Sequence, residues 1–143
     1  MRKRPKSLGR QDKRKPVARP GGSSYATQTP LWSFHLLDDS YHKWQIKDAG
    51  EVLRALKAYE GMTWNDISSS SGGKRTGSNS HFVEIGRLIK EARDRMTYLH
   101  LDTEDMIYSL RIGSKKRLYG LLRSRVFEII WYDENHEIYE IEN

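Results

Sequence analysis

The run MIYSLRIGSKKRLYGLLRSRVFEIIWY, residues 106–132, decides the fold. Met106, Tyr108, Leu110 and Ile112 alternate with Ile107, Ser109 and Arg111, a period of two that reads as strand. Gly113-Ser114 turns the chain and residues 117–122 form a second strand. Arg123-Ser124-Arg125 leads tightly into a third over residues 126–132. Asp133-Glu134-Asn135 then turns into a shorter fourth over residues 137–141. Aromatic and β-branched side chains are dense throughout, as a pleated surface favours. The expected core is an antiparallel meander.

Working back from the meander, the period changes to that of helices. Phe82, Ile85, Leu88, Ile89, Ala92, Met96 and Leu99 fall three and four apart and predict a helix over 82–99. Its Arg87, Lys90, Arg93 and Arg95, mixed with Glu91 and Asp94, read as a solvated face. Asp48 and Glu51 have capping-box spacing, Val52, Leu53, Leu56 and Tyr59 follow at helical spacing, and Gly61 offers a left-handed stop, so 48–60 is a second helix. Thr63-Trp64-Asn65-Asp66 repeats the cap signal for a short helix. It runs into residues 68–80, a serine- and glycine-rich stretch with Lys74 and Arg75 that reads as a flexible loop and lacks Walker spacing. Trp32, Phe34 and Leu36 alternate, predicting a first strand or extended edge from Leu31. The predicted fold class is α+β, with two main helices packed on one face of a three- to four-stranded antiparallel sheet.

The 143 residues suffice for one domain, and the charge is unevenly shared. Residues 1–20 hold nine lysines and arginines against Asp12 alone, a net +8, so the rest of the chain is −2 within the total of +6. All four prolines and Gly21-Gly22 lie in residues 1–30, where large apolar side chains are scarce. That composition predicts a basic disordered tail over 1–30 and a folded domain over 31–143. Arg2, Lys3, Arg4, Lys6, Lys13, Arg14 and Lys15 make the tail a candidate polyanion-binding arm. A solubilising extension and a nuclear-localisation patch at Lys3-Arg4-Pro5-Lys6 are competing readings. Cysteine is absent, which excludes disulfides and thiolate metal sites. His35, His42, His81, His100 and His136 are scattered without paired spacing, so neither metal nor cofactor is expected. No apolar run approaches the roughly 18 residues a bilayer needs. The N-terminal charges precede no apolar segment of a signal peptide. The expectation is a cytoplasmic protein with no membrane partner.

Strict alternation then sorts the sheet. Phe127, Ile129 and Trp131 share one face, expected against the helices, and Glu128, Ile130 and Tyr132 share the other. Leu118 and Leu122 oppose Arg117 and Tyr119, and Arg111 opposes Leu110 and Ile112. An open face is expected to gather Arg111, Arg117, Tyr119 and Tyr132, with His136 in the following turn and Tyr139 beyond.

Lys116-Arg117-Leu118-Tyr119-Gly120, followed by Ile129-Ile130-Trp131-Tyr132-Asp133-Glu134-Asn135-His136-Glu137-Ile138-Tyr139, resembles the C-terminal half of RelE/ParE-type toxins, and more narrowly a RelE-like subgroup. The resemblance spans about residues 48–141. It implies a RelE-like fold and a toxin of a type II toxin–antitoxin system. Such a toxin is a metal-independent endoribonuclease cleaving mRNA, on the ribosome in some relatives, with a cognate antitoxin as partner. In these terms Arg117 and Arg111 would stabilise phosphate charge, and His136 would move protons. Tyr119 and Tyr132 would stack or donate. Lys115, Lys116, Arg123, Arg125 and Tyr139 would contact RNA. Other readings stay open: a ParE-like poison of DNA gyrase, or a nucleic-acid- or ribosome-binding protein without catalysis. Arg117 has a competing role as a cross-strand partner of Glu128, and His136 as a structural hydrogen-bonding residue. Asp133, Glu134, Glu137, Glu140 and Glu142 make the C-terminus acidic, which works against phosphate binding there.

Overall fold

The computed structural model describes residues 24–69 and 79–140. Its centre is the predicted meander: β3 (Met106–Arg111), β4 (Arg117–Arg123) and β5 (Val126–Asp133) pair antiparallel in sequence order. Two edge strands extend it. β1 (Leu31–Ser33) runs parallel to β5, and β2 (His81–Glu84) runs antiparallel to β3, giving a five-stranded mixed sheet in the order β1-β5-β4-β3-β2. The general α+β class holds, but the sheet is larger than the sequence suggested and not purely antiparallel. Residues 137–140 form no strand.

The helices carry out their cap signals. α1 (Ala49–Tyr59) starts at Asp48, whose Oδ1 accepts from Glu51 N at 3.0 Å. It ends at Glu60 with ordinary right-handed geometry, so Gly61 supplies no left-handed stop. α2 (Trp64–Ser69) opens on a reciprocal box: Asp66 N donates to Thr63 Oγ1 and Thr63 N to Asp66 Oδ2. The long helix expected over 82–99 is not formed. Its first part is β2, then a 3-10 turn at Ile85–Arg87, and only α3 (Lys90–Tyr98) is helical. Apolar spacing cannot separate these outcomes, and Gly86 lowers helix propensity mid-stretch while Phe82 and Val83 suit a strand beside β3.

Both sheet faces are covered. On one, Val52 and Leu56 of α1 and Trp64 and Ile67 of α2 cluster with Tyr108, Leu110, Leu118, Phe127, Ile129 and Tyr132. On the other, Ala92 and Met96 of α3 join Trp44, Leu88 and Ile138 over Ile107, Tyr119, Leu121, Ile130 and Trp131. The expected arrangement, both main helices on one face with the other open, is therefore corrected: α1 and α3 contribute to different clusters.

One irregularity also changes the faces of the last β5 residues. Tyr119 is opposite Trp131 while the next residue, Gly120, is opposite Ile129, so Ile130 is an extra residue in β5. Alternation slips by one, and Ile130 and Trp131 fall in the same cluster while Tyr132 crosses to the other. A Cβ at Gly120 would stand 2.2 Å from the Glu128 carbonyl oxygen, so this register needs glycine there. The Ile130 carbonyl accepts from Asp38 N at 3.0 Å.

The folded part also reaches further back than residue 31. Ser24–Thr27 form a 3-10 turn, and Tyr25 and Ala26 are buried. Residues 1–23 of the expected tail, with all seven of its named lysines and arginines, and residues 70–78 of the expected loop lie outside the described residues.

Candidate nucleic-acid interface

The open-face site does not assemble. Arg117 is 1% exposed, and its Nη1 donates to the carbonyls of Gly113 (3.2 Å), Ser114 (3.4 Å) and Lys116 (3.0 Å). Burial lowers its pKa, the neighbouring charge of Arg111 lowers it further, and Asp133 works the other way. Its strand partner is Asp133, not Glu128, which is ion-paired with Arg123. Tyr119 is fully buried, and burial pushes its hydroxyl pKa up. Tyr132 lies on the other face, where its hydroxyl donates to Glu51 Oε1 at 3.2 Å. Arg111 and Arg117 are strand partners, Tyr119 follows Arg117 on its side of β4, and the bulge carries Tyr132 alone to the other face.

His136 sits in a turn organised by Asp133. The Asp133 carboxylate, buried at the end of β5, accepts from Glu137 N (3.0 Å) and Ile138 N (2.8 Å). Burial raises the Asp133 pKa, partly offset by those two N–H groups. The turn needs a left-handed residue, and His136 fills that place at φ 59°. It is half-buried, and its ring is near enough to Asp133 to favour the ionised carboxylate. The acidic residue nearest the expected site therefore faces inward.

Most of the expected RNA contacts are engaged within the chain. Lys116 Nζ binds Glu51 Oε2 at 2.8 Å, and Arg123 binds Glu104 at 2.8 Å and Glu128 at 3.4 Å. Arg125 holds the Thr29 carbonyl and hydroxyl. Tyr139 meets His81 edge-on, ring centroids 6.1 Å apart. Lys115 is exposed on the turn between β3 and β4. Arg95, expected on a solvated face, instead donates from Nε and Nη2 to both Asp38 oxygens at 2.8 Å, beneath Tyr41 and Tyr98.

What the chain does present is a pocket of about 460 Å³ beside the β3–β4 turn. Ala55, Ala58 and Tyr59 of α1 form one side, Arg111, Ile112 and Ser114 the other, with Ser80 between. Three hydrogen bonds tie Arg111 into this wall, one from its side chain and two at its backbone. Its Nε donates to the Gly113 carbonyl (2.9 Å), its backbone N to Ser80 Oγ (2.9 Å), and its carbonyl accepts from the Tyr59 hydroxyl (2.5 Å). Sequence patterning singled out Arg111 but not the pocket, because Tyr59 and Ser80 are far from it along the chain. Among the described residues no group of three or more His, Asp or Glu side chains is placed to hold a metal ion, and no helix is long and apolar enough to cross a membrane.

Comparison with protein-family models, with curated proteins and with solved structures finds no match for this chain.

Proposed function

We propose that the chain is an RNA-binding protein of the RelE/ParE-like kind, which grips the phosphate backbone at the β3–β4 turn. The observation that carries this reading is the pocket there: Arg111 supplies a fixed cation in its wall, and none of its described lining residues is a carboxylate. Exposed Lys115 adds a second charge on the same turn. Two cations on one turn attract phosphate without regard to base sequence. Burial of Arg117 and Tyr119 favours holding RNA over cutting it, because neither reaches a phosphate arriving from solvent. In the toxin role that the resemblance implies, the chain would work in the cytoplasm on mRNA and be restrained by a cognate antitoxin. Fluorescence anisotropy of labelled single-stranded RNA over a salt series tests the grip. Lys115→Ala should weaken binding and flatten the salt slope by about 0.7 if one phosphate contact is lost. An unchanged slope in both Lys115→Ala and Arg111→Ala would remove the reading.

A second reading, the endoribonuclease, is favoured by His136, half-buried beside Asp133. Here the 2′-oxygen bonds to phosphorus, the bond to the 5′-oxygen breaks, a base takes the 2′ proton and an acid returns one to the leaving oxygen. His136→Asn tests it cleanly, since asparagine tolerates the left-handed backbone but transfers no proton at neutral pH. Cleavage ending in 2′,3′-cyclic phosphate and lost in His136→Asn supports this reading. Intact RNA with the unaltered protein, free and ribosome-bound, leaves binding alone.

A further inference from the structure

We infer that the pocket beside the β3–β4 turn receives one unpaired nucleotide of single-stranded RNA, its base between α1 and Arg111. The inference rests on the RNA-binding reading of the same turn and names the form of RNA it would take.

The walls have the chemistry of a nucleotide. Ala55 and Ala58 leave the α1 side low and apolar, and Ile112 matches them across the gap. An aromatic ring and a guanidinium also line it, Tyr59 and Arg111, and unstacked bases pack on such planar groups. Both are immobilised by their own hydrogen bonds: the Tyr59 hydroxyl is spent on the Arg111 carbonyl, and Arg111 Nε on Gly113. A surface ordered beforehand loses less side-chain entropy on binding. Ser114 provides a polar group in the lining for a base edge or ribose. At about 460 Å³ the space lies in the range of small-ligand sites.

Duplex RNA cannot use this pocket, because its bases are stacked and paired and its deep groove admits no side chain. The expected signature is therefore a preference for single strands. A packed base is worth roughly tenfold or more in affinity. Anisotropy is measured with a short labelled single strand, with its duplex, and with adenosine monophosphate or ribose phosphate as competitor. The intact protein should bind the single strand more tightly, and adenosine monophosphate should displace it at concentrations where ribose phosphate does not. Ala58→Phe and Ala55→Phe each fill the pocket from α1. Each should lower single-strand affinity about tenfold and leave duplex affinity unchanged, with an unaltered circular dichroism spectrum. Equal affinity for both forms and equal competition by both small molecules would overturn the inference while leaving the RNA-binding reading standing. Failure of the intact protein to bind either RNA would overturn both.

Discussion

Arg111 Nε and Arg117 Nη1 donate to the same acceptor, the carbonyl oxygen of Gly113, at 2.9 and 3.2 Å. Two like charges tolerate this closeness because the carbonyl lies between them, and their repulsion joins burial in lowering the Arg117 pKa. The two arginines differ in role. Arg111 closes the turn from the pocket side, while Arg117 closes it from inside, also capping Ser114 and Lys116. Arg117→Ala would strip a charge from three carbonyls and leave buried Asp133 opposite an empty space. The expected cost is about 3–5 kcal/mol, as for removal of one member of a buried charged set. Urea unfolding checks it, through a lower midpoint at an unchanged slope. A loss under about 1 kcal/mol would show the guanidinium to be dispensable to the fold and restore it as a candidate for chemistry.

Gly120 stands at the shift that decides which face Trp131 and Tyr132 meet. Its Cβ would meet the Glu128 carbonyl carbon and oxygen and the Phe127 ring, and the backbone atoms cannot swing aside as a flexible side chain would. Gly120→Ala should cost about 1–3 kcal/mol or more from overpacking. It should also disturb amide exchange at Ile129 and Ile130 before that of β3. Uniform weakening of the whole sheet would mean the bulge is not set by this contact.

How much was legible follows from the same residues. Strands β3, β4 and β5, and the caps at Asp48 and Thr63, were readable because each signal is local. Alternation along one strand and an acceptor three residues before an N–H depend on nothing distant. The site was not readable, because the cover over Tyr119 comes from residues distant in the chain, Trp44, Ala92 and Met96, and because a single inserted residue reverses parity for Tyr132. Nothing in Phe127-Glu128-Ile129-Ile130-Trp131-Tyr132 marks Ile130 as the extra one. The clue was on the neighbouring strand, in the isolated glycine of β4, which in a strand often signals a bulge or close backbone approach. Asp38 was equally hidden, since its partners Arg95 and Trp131 are 57 and 93 residues away.

Acid should act on Asp38 and Asp133 in opposite directions. Burial draws the Asp38 carboxyl upward, but hydrogen bonds from Arg95 and Trp131 outweigh it, so its folded pKa lies below the ordinary value. Its contribution to stability is thus complete above the unfolded value near about 3.9 and is lost as pH falls through the lowered folded value. Asp133 is raised by burial, so it favours the fold most when protonated, and that contribution declines as pH climbs through the raised value. Asp38→Asn should flatten the acid limb of stability against pH, whereas Asp133→Asn should steepen the rise just above pH 4. Chemical denaturation at stepped pH reads both. Parallel curves for the two variants and the unaltered protein would contradict the assignment.

Tyr25 ties the first of the described residues into the core. Tyr25 is 2% exposed and packs in the cluster with Trp64, Phe127 and Tyr108, and Gln28 O accepts from Trp64 N at 3.0 Å. Arg125 reaches Thr29 from the β4–β5 turn. Truncation of residues 1–30 therefore removes a core aromatic together with the partners of Trp64 and Arg125. The loss of the ring alone is expected to cost about 3–5 kcal/mol. Truncation of residues 1–23 keeps Tyr25, Gln28 and Thr29 in the chain. It also removes every one of the nine basic residues at the N-terminus. If they bind polyanions, this shorter truncation weakens RNA binding and flattens its salt slope by about 0.7 for each phosphate released. The contact at Lys115 and Arg111 should persist, leaving a residual slope that Lys115→Ala reduces further. A truncation of 1–23 that keeps the full salt slope would place the whole electrostatic footprint on the folded domain, and a truncation of 1–30 that keeps full stability would show that Tyr25 is not part of its core.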